Sequence, residues 1–123
     1  MFSWRRRKRK EIEKLINELG LENDVVLTGM RSDISELMQM SDILLLPSFY
    51  EGIPVTLIES QAVGLKAIVS DNISKEVCIT DDVISISINN EFEWIDKIIK
   101  NMIYDRKNNH KKLQEMGYDI KNV

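Results

Sequence analysis

The chain has 123 residues, 43% of them hydrophobic and 30% charged, with a formal net charge of −3. That suffices for one globular domain with a real core and is small for an enzyme built of two. Six cations stand together at Arg5, Arg6, Arg7, Lys8, Arg9 and Lys10; removing them from the total leaves −9, which argues against an extended nucleic-acid surface. The single Cys78 cannot close an internal disulfide and suits a reducing compartment, and the longest apolar run falls far short of a membrane span.

In chain order, MFSWRRRKRK begins like the charged start of a signal peptide, yet the amphipathic KEIEKLINELG follows instead of an apolar stretch. The basic run has three readings, in descending order: a solvated helix start, a peripheral contact with an acidic membrane surface through Phe2, Trp4 and the cations, and a nucleic-acid patch. Ile12, Leu15, Ile16 and Leu19 recur at helical spacing, and Gly20 suits the position that ends the helix. Val25–Leu27 reads as a short strand ending at Thr28-Gly29. Ser32 and Asp33 offer N-caps to a helix carrying Ile34, Leu37 and Met38.

The stretch DILLLPSFYEGIPVTLIESQAVG, residues 42–64, is the centre of the chain. Ile43–Leu46 is a buried strand stopped by Pro47, and residues 48–52 form a loop. Pro54 opens a helix and Gly64 closes it. Strand, tight loop and helix is the geometry in which α/β sheets hold ligands at the carboxyl ends of parallel strands. On that helix Glu59 lies about 40° from Val55 and from Val63, bordering an apolar face made with Ile58 and Ala62. Thr56, Ser60 and Gln61 are expected on the other side. A carboxylate at the edge of a core face either reaches water or needs a hydrogen-bond donor, from the protein or from a ligand hydroxyl. Ala67–Val69 reads as another buried strand with Asp71-Asn72 as its loop, and Asp81-Asp82 as a strand-entry turn. The alternation of Ile84, Ile86 and Ile88 with Ser85 and Ser87 marks a strand with one wet face near a sheet edge. Phe92, Ile95, Ile98, Ile99 and Met102 predict a long amphipathic helix, and a last short helix is expected at residues 111–116.

Alternating strands and helices give an α/β fold: a mainly parallel, Rossmann-like sheet of about four strands with flanking helices. The expected divisions are a basic segment at residues 1–10, the sheet domain at 11–105 and a polar, helical tail at 106–123.

Glu51-Gly52-Ile53-Pro54 followed by Glu59 resembles the Glu-x7-Glu motif of retaining GT-B glycosyltransferases, the glycosyl transferases group 1 family. SDILLLPSFYEGIPVTLIESQAVGLKAIVSDN and KEIEKLINELGLENDVVLTGMRSDISELM extend the likeness over residues 10–105, toward the donor-binding core of bacterial polysaccharide and capsule enzymes. The resemblance implies a truncated carboxyl-terminal domain that binds a nucleotide-diphosphate sugar, UDP- or GDP-linked. Glu51, Gly52 and Ile53 would meet the donor sugar, Glu59 the ribose hydroxyls, Val55 and Thr56 the diphosphate through their N–H groups, and Met30 and Arg31 the base. Transfer would be retaining and metal-independent, to a glycan or lipid-linked acceptor, in the cytoplasm or at the inner face of the membrane. No cofactor beyond the donor and no metal are implied, and no Asp-x-Asp pair stands ready to anchor one.

Two upstream strands of such a domain, one with a Gly-Arg word and a Lys, have no counterpart here, nor has an amino-terminal acceptor domain. The departing diphosphate would lack fixed cations, so the chain by itself is expected to be inactive, with no residue assigned as catalytic. Val25–Thr28 would then pair directly with the Ile43–Pro47 strand. The alternatives are one half of a split transferase whose partner chain brings the acceptor domain, and a non-catalytic remnant acting as an interaction module.

Overall fold

The computed structural model describes residues 2–48 and 54–118, with side chains from Arg7 onward. Glu51, Gly52 and Ile53 and the side chains of Phe2, Trp4, Arg5 and Arg6 lie outside that description. The chain divides into two compact units, residues 1–32 and 33–123.

The first unit is one helix and an extended return. Helix α1 (Phe2–Glu18) runs without interruption through the basic run, where Lys8–Glu11 and Arg9–Glu13 ion pairs join successive turns on exposed surface. Gly20, at φ 69°, ends it as expected. Val25–Leu27 is not a strand. A strand needs a ladder partner for its backbone groups, and a helix cannot offer one. The Leu27 carbonyl instead accepts a hydrogen bond from Arg9 Nη2 at 3.3 Å.

The second unit holds the sheet. Helix α2 (Ile34–Met40) precedes strand β1 (Leu44–Leu46), helix α3 (Val55–Ala62), strand β2 (Ala67–Ser70), a 3-10 turn (Lys75–Val77), strand β3 (Val83–Ile86), helix α4 (Glu91–Lys100) and helix α5 (His110–Glu115). The three strands run parallel in the order β1-β2-β3, with Leu45 opposite Ile68 and Ile68 opposite Ile84. Among the described residues the sheet therefore has three strands rather than about four, the difference being Val25–Leu27. β3 lies at an edge, as its alternation predicts.

Period-two alternation sends the central strand's side chains to two separate cores. Ala67 and Val69 pack with Leu57 of α3, with Ile73 and Val77 of the following segment, and with Leu44 and Leu46 of β1. Ile68 points the other way, to Ile86 and Trp94, joined by Ile43, Ile84 and Ile98. All four residues of β2 are buried, the mark of a strand covered on both faces. Trp94 also donates from Nε1 to the Ser87 carbonyl at 2.8 Å, which satisfies its one polar atom.

Residues 101–118 strap this unit together. Arg106 donates from Nη1 to the carbonyls of Met38 and Gln39, each at 3.1 Å, and from Nη2 to that of Ser41. It thereby occupies carbonyls that the end of α2 leaves without helical partners. The Tyr104 hydroxyl donates to the Asp42 carbonyl and accepts from Lys66 N, so the entrances of β1 and β2 are tied to one side chain. Lys66 Nζ stands 4.7 Å from the Tyr104 ring centre. Leu113 of α5 is fully buried against Ile58 and Ala62 of α3. Gly64 allows the strap to cross: its φ is 72°, and a Cβ there would overlap the Lys107 carbonyl oxygen and lie 2.8 Å from the Lys107 nitrogen.

Candidate functional site

Helix α3 starts just beyond the carboxyl end of β1. Pro54 stands at its N-cap, one position earlier than a first-turn residue, and its carbonyl accepts from the N–H groups of Leu57 (3.0 Å) and Ile58 (3.3 Å). The N–H groups that open any helix have no partner within it, so those of Val55 and Thr56 face outward along the helix axis. At the neighbouring strand end, Ser70 Oγ donates to the Ser48 carbonyl and accepts from Asn72 N at 3.2 Å. The carboxyl ends of β1 and β2 are thus held together beside the start of α3.

Around α3 the division between wet and dry differs from the sequence reading. Ser60 and Gln61, expected on the solvent side, are fully buried. They can be buried because their polar atoms are saturated. Ser60 Oγ donates to the Leu57 carbonyl at 2.8 Å. Gln61 Nε2 donates to the carbonyls of Val77 (2.7 Å) and Leu57 (3.2 Å). Its Oε1 accepts from the N–H groups of Ile79 (2.7 Å) and Thr80 (2.8 Å). One carboxamide thereby pins the segment between β2 and β3 against α3. With Leu57, Ile58 and Ala62 also buried, the wet arc narrows to Val55 and Thr56, both exposed, and the partly exposed Glu59 and Val63. Val55, expected to help form the apolar face, is solvent-facing instead.

Three of the residues singled out in the sequence therefore share one arc: Glu59 falls between Val55 and Thr56, about 40° from the first and about 60° from the second. No hydrogen bond or ion pair engages the Glu59 carboxylate among the described residues. Glu51, Gly52 and Ile53 lie outside the described residues. Met30 and Arg31 belong to the first unit, where Met30 is 92% exposed. Among the described residues no group of three His, Cys, Asp or Glu side chains converges as a metal site would. The Cys78 thiol is pushed up from its ordinary pKa by burial, against a smaller opposing pull from Lys75, which makes it a poor nucleophile.

The glycosyl transferases group 1 model matches residues 6–122. The chain belongs to that family. Its relatives include EpsF of Bacillus subtilis, 45% identical over 67 residues, which are 54% of this chain and 17% of that one. A second is the UDP-Gal:alpha-D-GlcNAc-diphosphoundecaprenol alpha-1,3-galactosyltransferase of Escherichia coli, 36% identical over 76 residues, 62% of this chain and 17% of the relative. A third, 54% identical over 43 residues, is the N,N'-diacetylbacillosaminyl-diphospho-undecaprenol alpha-1,3-N-acetylgalactosaminyltransferase of Campylobacter jejuni; the match covers 35% of this chain and 11% of the relative. The chain thus spans less than a fifth of the length of these relatives. No solved structure matches it. The parallel sheet with helices on both faces is the Rossmann-like arrangement that the family resemblance implies. No helix among the described residues is long and apolar enough to cross a membrane.

What sequence reasoning missed is Gln61. A polar residue between Ser60 and Ala62 on a helix looks solvent-facing. The one available signal was the apolar setting of the turn, Leu57-Ile58 before it and Val63-Gly64-Leu65 after it.

Proposed function

We propose that this chain forms the donor side of a nucleotide-sugar-dependent glycosyltransferase. The observation that carries this reading is the wet arc of α3. A carboxylate with no partner among the described residues stands beside the open N–H groups of a helix start, at the carboxyl ends of two tied parallel strands. That combination suits a nucleoside diphosphate sugar. Glu59 accepts from the vicinal hydroxyls of the ribose, and the N–H groups of Val55 and Thr56 meet the diphosphate, where the helix dipole favours negative charge. By the family resemblance, Glu51, Gly52 and Ile53 take the donor sugar. As the diphosphate departs, negative charge develops on it, and the α3 start offsets part of that charge without a metal. The stereochemical outcome is retention.

The acceptor in this reading is a glycan built on a lipid diphosphate, in line with the names of the Escherichia coli and Campylobacter jejuni relatives. A place at the inner membrane face agrees with α1, whose cations from Arg7 to Lys10 are exposed and whose Ile12 and Leu15, with Leu19 just past its end, are exposed as well.

The test is titration of the isotope-labelled chain with UDP- and GDP-sugars. Shifts in the amides of Val55, Thr56 and Glu59 are expected for one of the two bases. Glu59→Ala should weaken that binding at least tenfold, the size expected when charge-assisted hydrogen bonds to ligand hydroxyls are lost. Unmoved α3 amides at millimolar donor would end the proposal.

A further inference from the structure

One buried hydroxyl stands in a strand that is otherwise apolar. Ala67, Ile68 and Val69 of β2 are buried, as befits a strand covered on both faces, and Ser70 is buried with them at 0% exposure. A hydroxyl in such a place costs free energy unless its hydrogen bonds are made. Ser70 Oγ makes two, donating to the Ser48 carbonyl and accepting from Asn72 N at 3.2 Å. The turn after β2 closes without that side chain. Ile73 N donates to the Ser70 carbonyl at 3.1 Å, and Asp71 N to the Ile86 carbonyl at 2.9 Å.

The strand register shows what the hydroxyl adds. Toward β3, Ser70 still has a ladder partner, Ile86. Toward β1 the pairing ends one residue earlier, with Leu46 opposite Val69. The Ser70 hydroxyl takes over where that ladder stops, holding the chain that leaves β1 against the exit of β2. Just inside this tie, Val69 and Leu46 pack with Leu57. Leu57 follows Thr56 in the chain and is fully buried, so it seats the exposed start of α3 on those two strand ends.

We infer that Ser70 is a positioning residue for the donor site: touching no ligand, its hydroxyl fixes the paired strand exits on which the α3 start rests. This inference rests on the donor-binding reading. Groups that grip a ligand have to be held within about 0.5 Å of their productive places, and beyond Leu46 the β1–β2 ladder no longer does so.

The full, isotope-labelled chain is titrated with UDP and with GDP and read at the amides of Val55, Thr56 and Glu59. Ser70→Ala should weaken binding of the preferred nucleotide about fivefold, the weight of one hydrogen bond. Ser70→Thr keeps the hydroxyl and should stay within about twofold of the unaltered chain. Thr80→Val supplies the contrast. Thr80 is buried too, and its Oγ1 accepts from Asp82 N at 3.3 Å, at the opposite, amino end of β3. Its replacement should lower the urea midpoint and leave nucleotide affinity unchanged. Circular dichroism confirms that each variant is folded. Equal weakening by Ser70→Ala and Thr80→Val would make Ser70 a general stabiliser and overturn the inference. A Ser70→Thr chain that binds as poorly as Ser70→Ala would overturn it as well. If Glu59→Ala weakens binding and Ser70→Ala does not, the inference falls and the donor reading stands. If the unaltered chain binds neither nucleotide, both fall.

Discussion

The two units of this chain show what the same kind of hydrophobic pattern does with and without a sheet beside it. In residues 7–32, Ile12, Leu15 and Leu19 repeat at helical spacing, and Val25–Leu27 is as apolar as a strand, yet no residue there is buried. In residues 33–118, shorter elements bury Leu57, Leu65, Ile68, Ile73 and Leu113 almost completely. The strand β2 has four residues and α3 has eight, so length is not the cause. A parallel strand with partners on both sides presents two apolar faces at once, and each face collects helices and loops. Periodicity nominates a face, and the presence of a complementary face decides whether it is used.

The largest effect should come from removing the one polar side chain on which the second unit's interior depends. Gln61→Leu leaves the N–H groups of Ile79 and Thr80 and the Val77 carbonyl without their partner. It should cost about 4 kcal/mol in urea unfolding, because several buried backbone groups are orphaned together. If the loss is under about 1 kcal/mol, the segment between β2 and β3 is held by its apolar contacts alone, and Gln61 is incidental.

Gly64→Ala should follow at about 3 kcal/mol, since it combines a left-handed backbone with a collision against the Lys107 peptide. The unfolding midpoint would fall while hydrogen exchange at Asn109 accelerates, since its N–H donates to the Ala62 carbonyl at 2.8 Å. Arg106→Ala should cost less, about 1 kcal/mol, and its mark should be local. The amides of α2 should exchange faster, with the sheet unaffected.

At the small end stands the contrast with the first unit. Leu15→Ser should change the urea midpoint by no more than about 0.5 kcal/mol, as for other exposed positions. A loss comparable to that of Gly64→Ala would dissolve the comparison, because it would mean that α1 buries its apolar side in solution.

Much of the second unit was legible in its residues. The three strands, the helix that follows the pivot strand, the closing role of Gly64 and the edge position of Val83–Ile86 all came from apolar runs, alternation and turn residues, because those signals act locally. The strap from Asn101 to Tyr118 left little trace, since its work is done by polar side chains (Tyr104, Arg106, Asn109) that reach carbonyls far away in the chain. The amphipathic helix read at Phe92, Ile95, Ile98 and Ile99 is α4; its apolar arc spans about 160°, wider than one sheet face can cover, and Phe92, Ile95 and Ile99 remain exposed.

For the site, the order of residues determined that Val55, Thr56 and Glu59 would lie on one helix behind a short parallel strand. Helical geometry then places Glu59 between the other two, whatever the rest of the molecule does. Only the tertiary structure decided which side of that helix meets water. It did so through Gln61, whose carboxamide oxygen accepts from the N–H groups of Ile79 and Thr80, some eighteen residues away, a partnership between distant parts of the chain that no local pattern can encode.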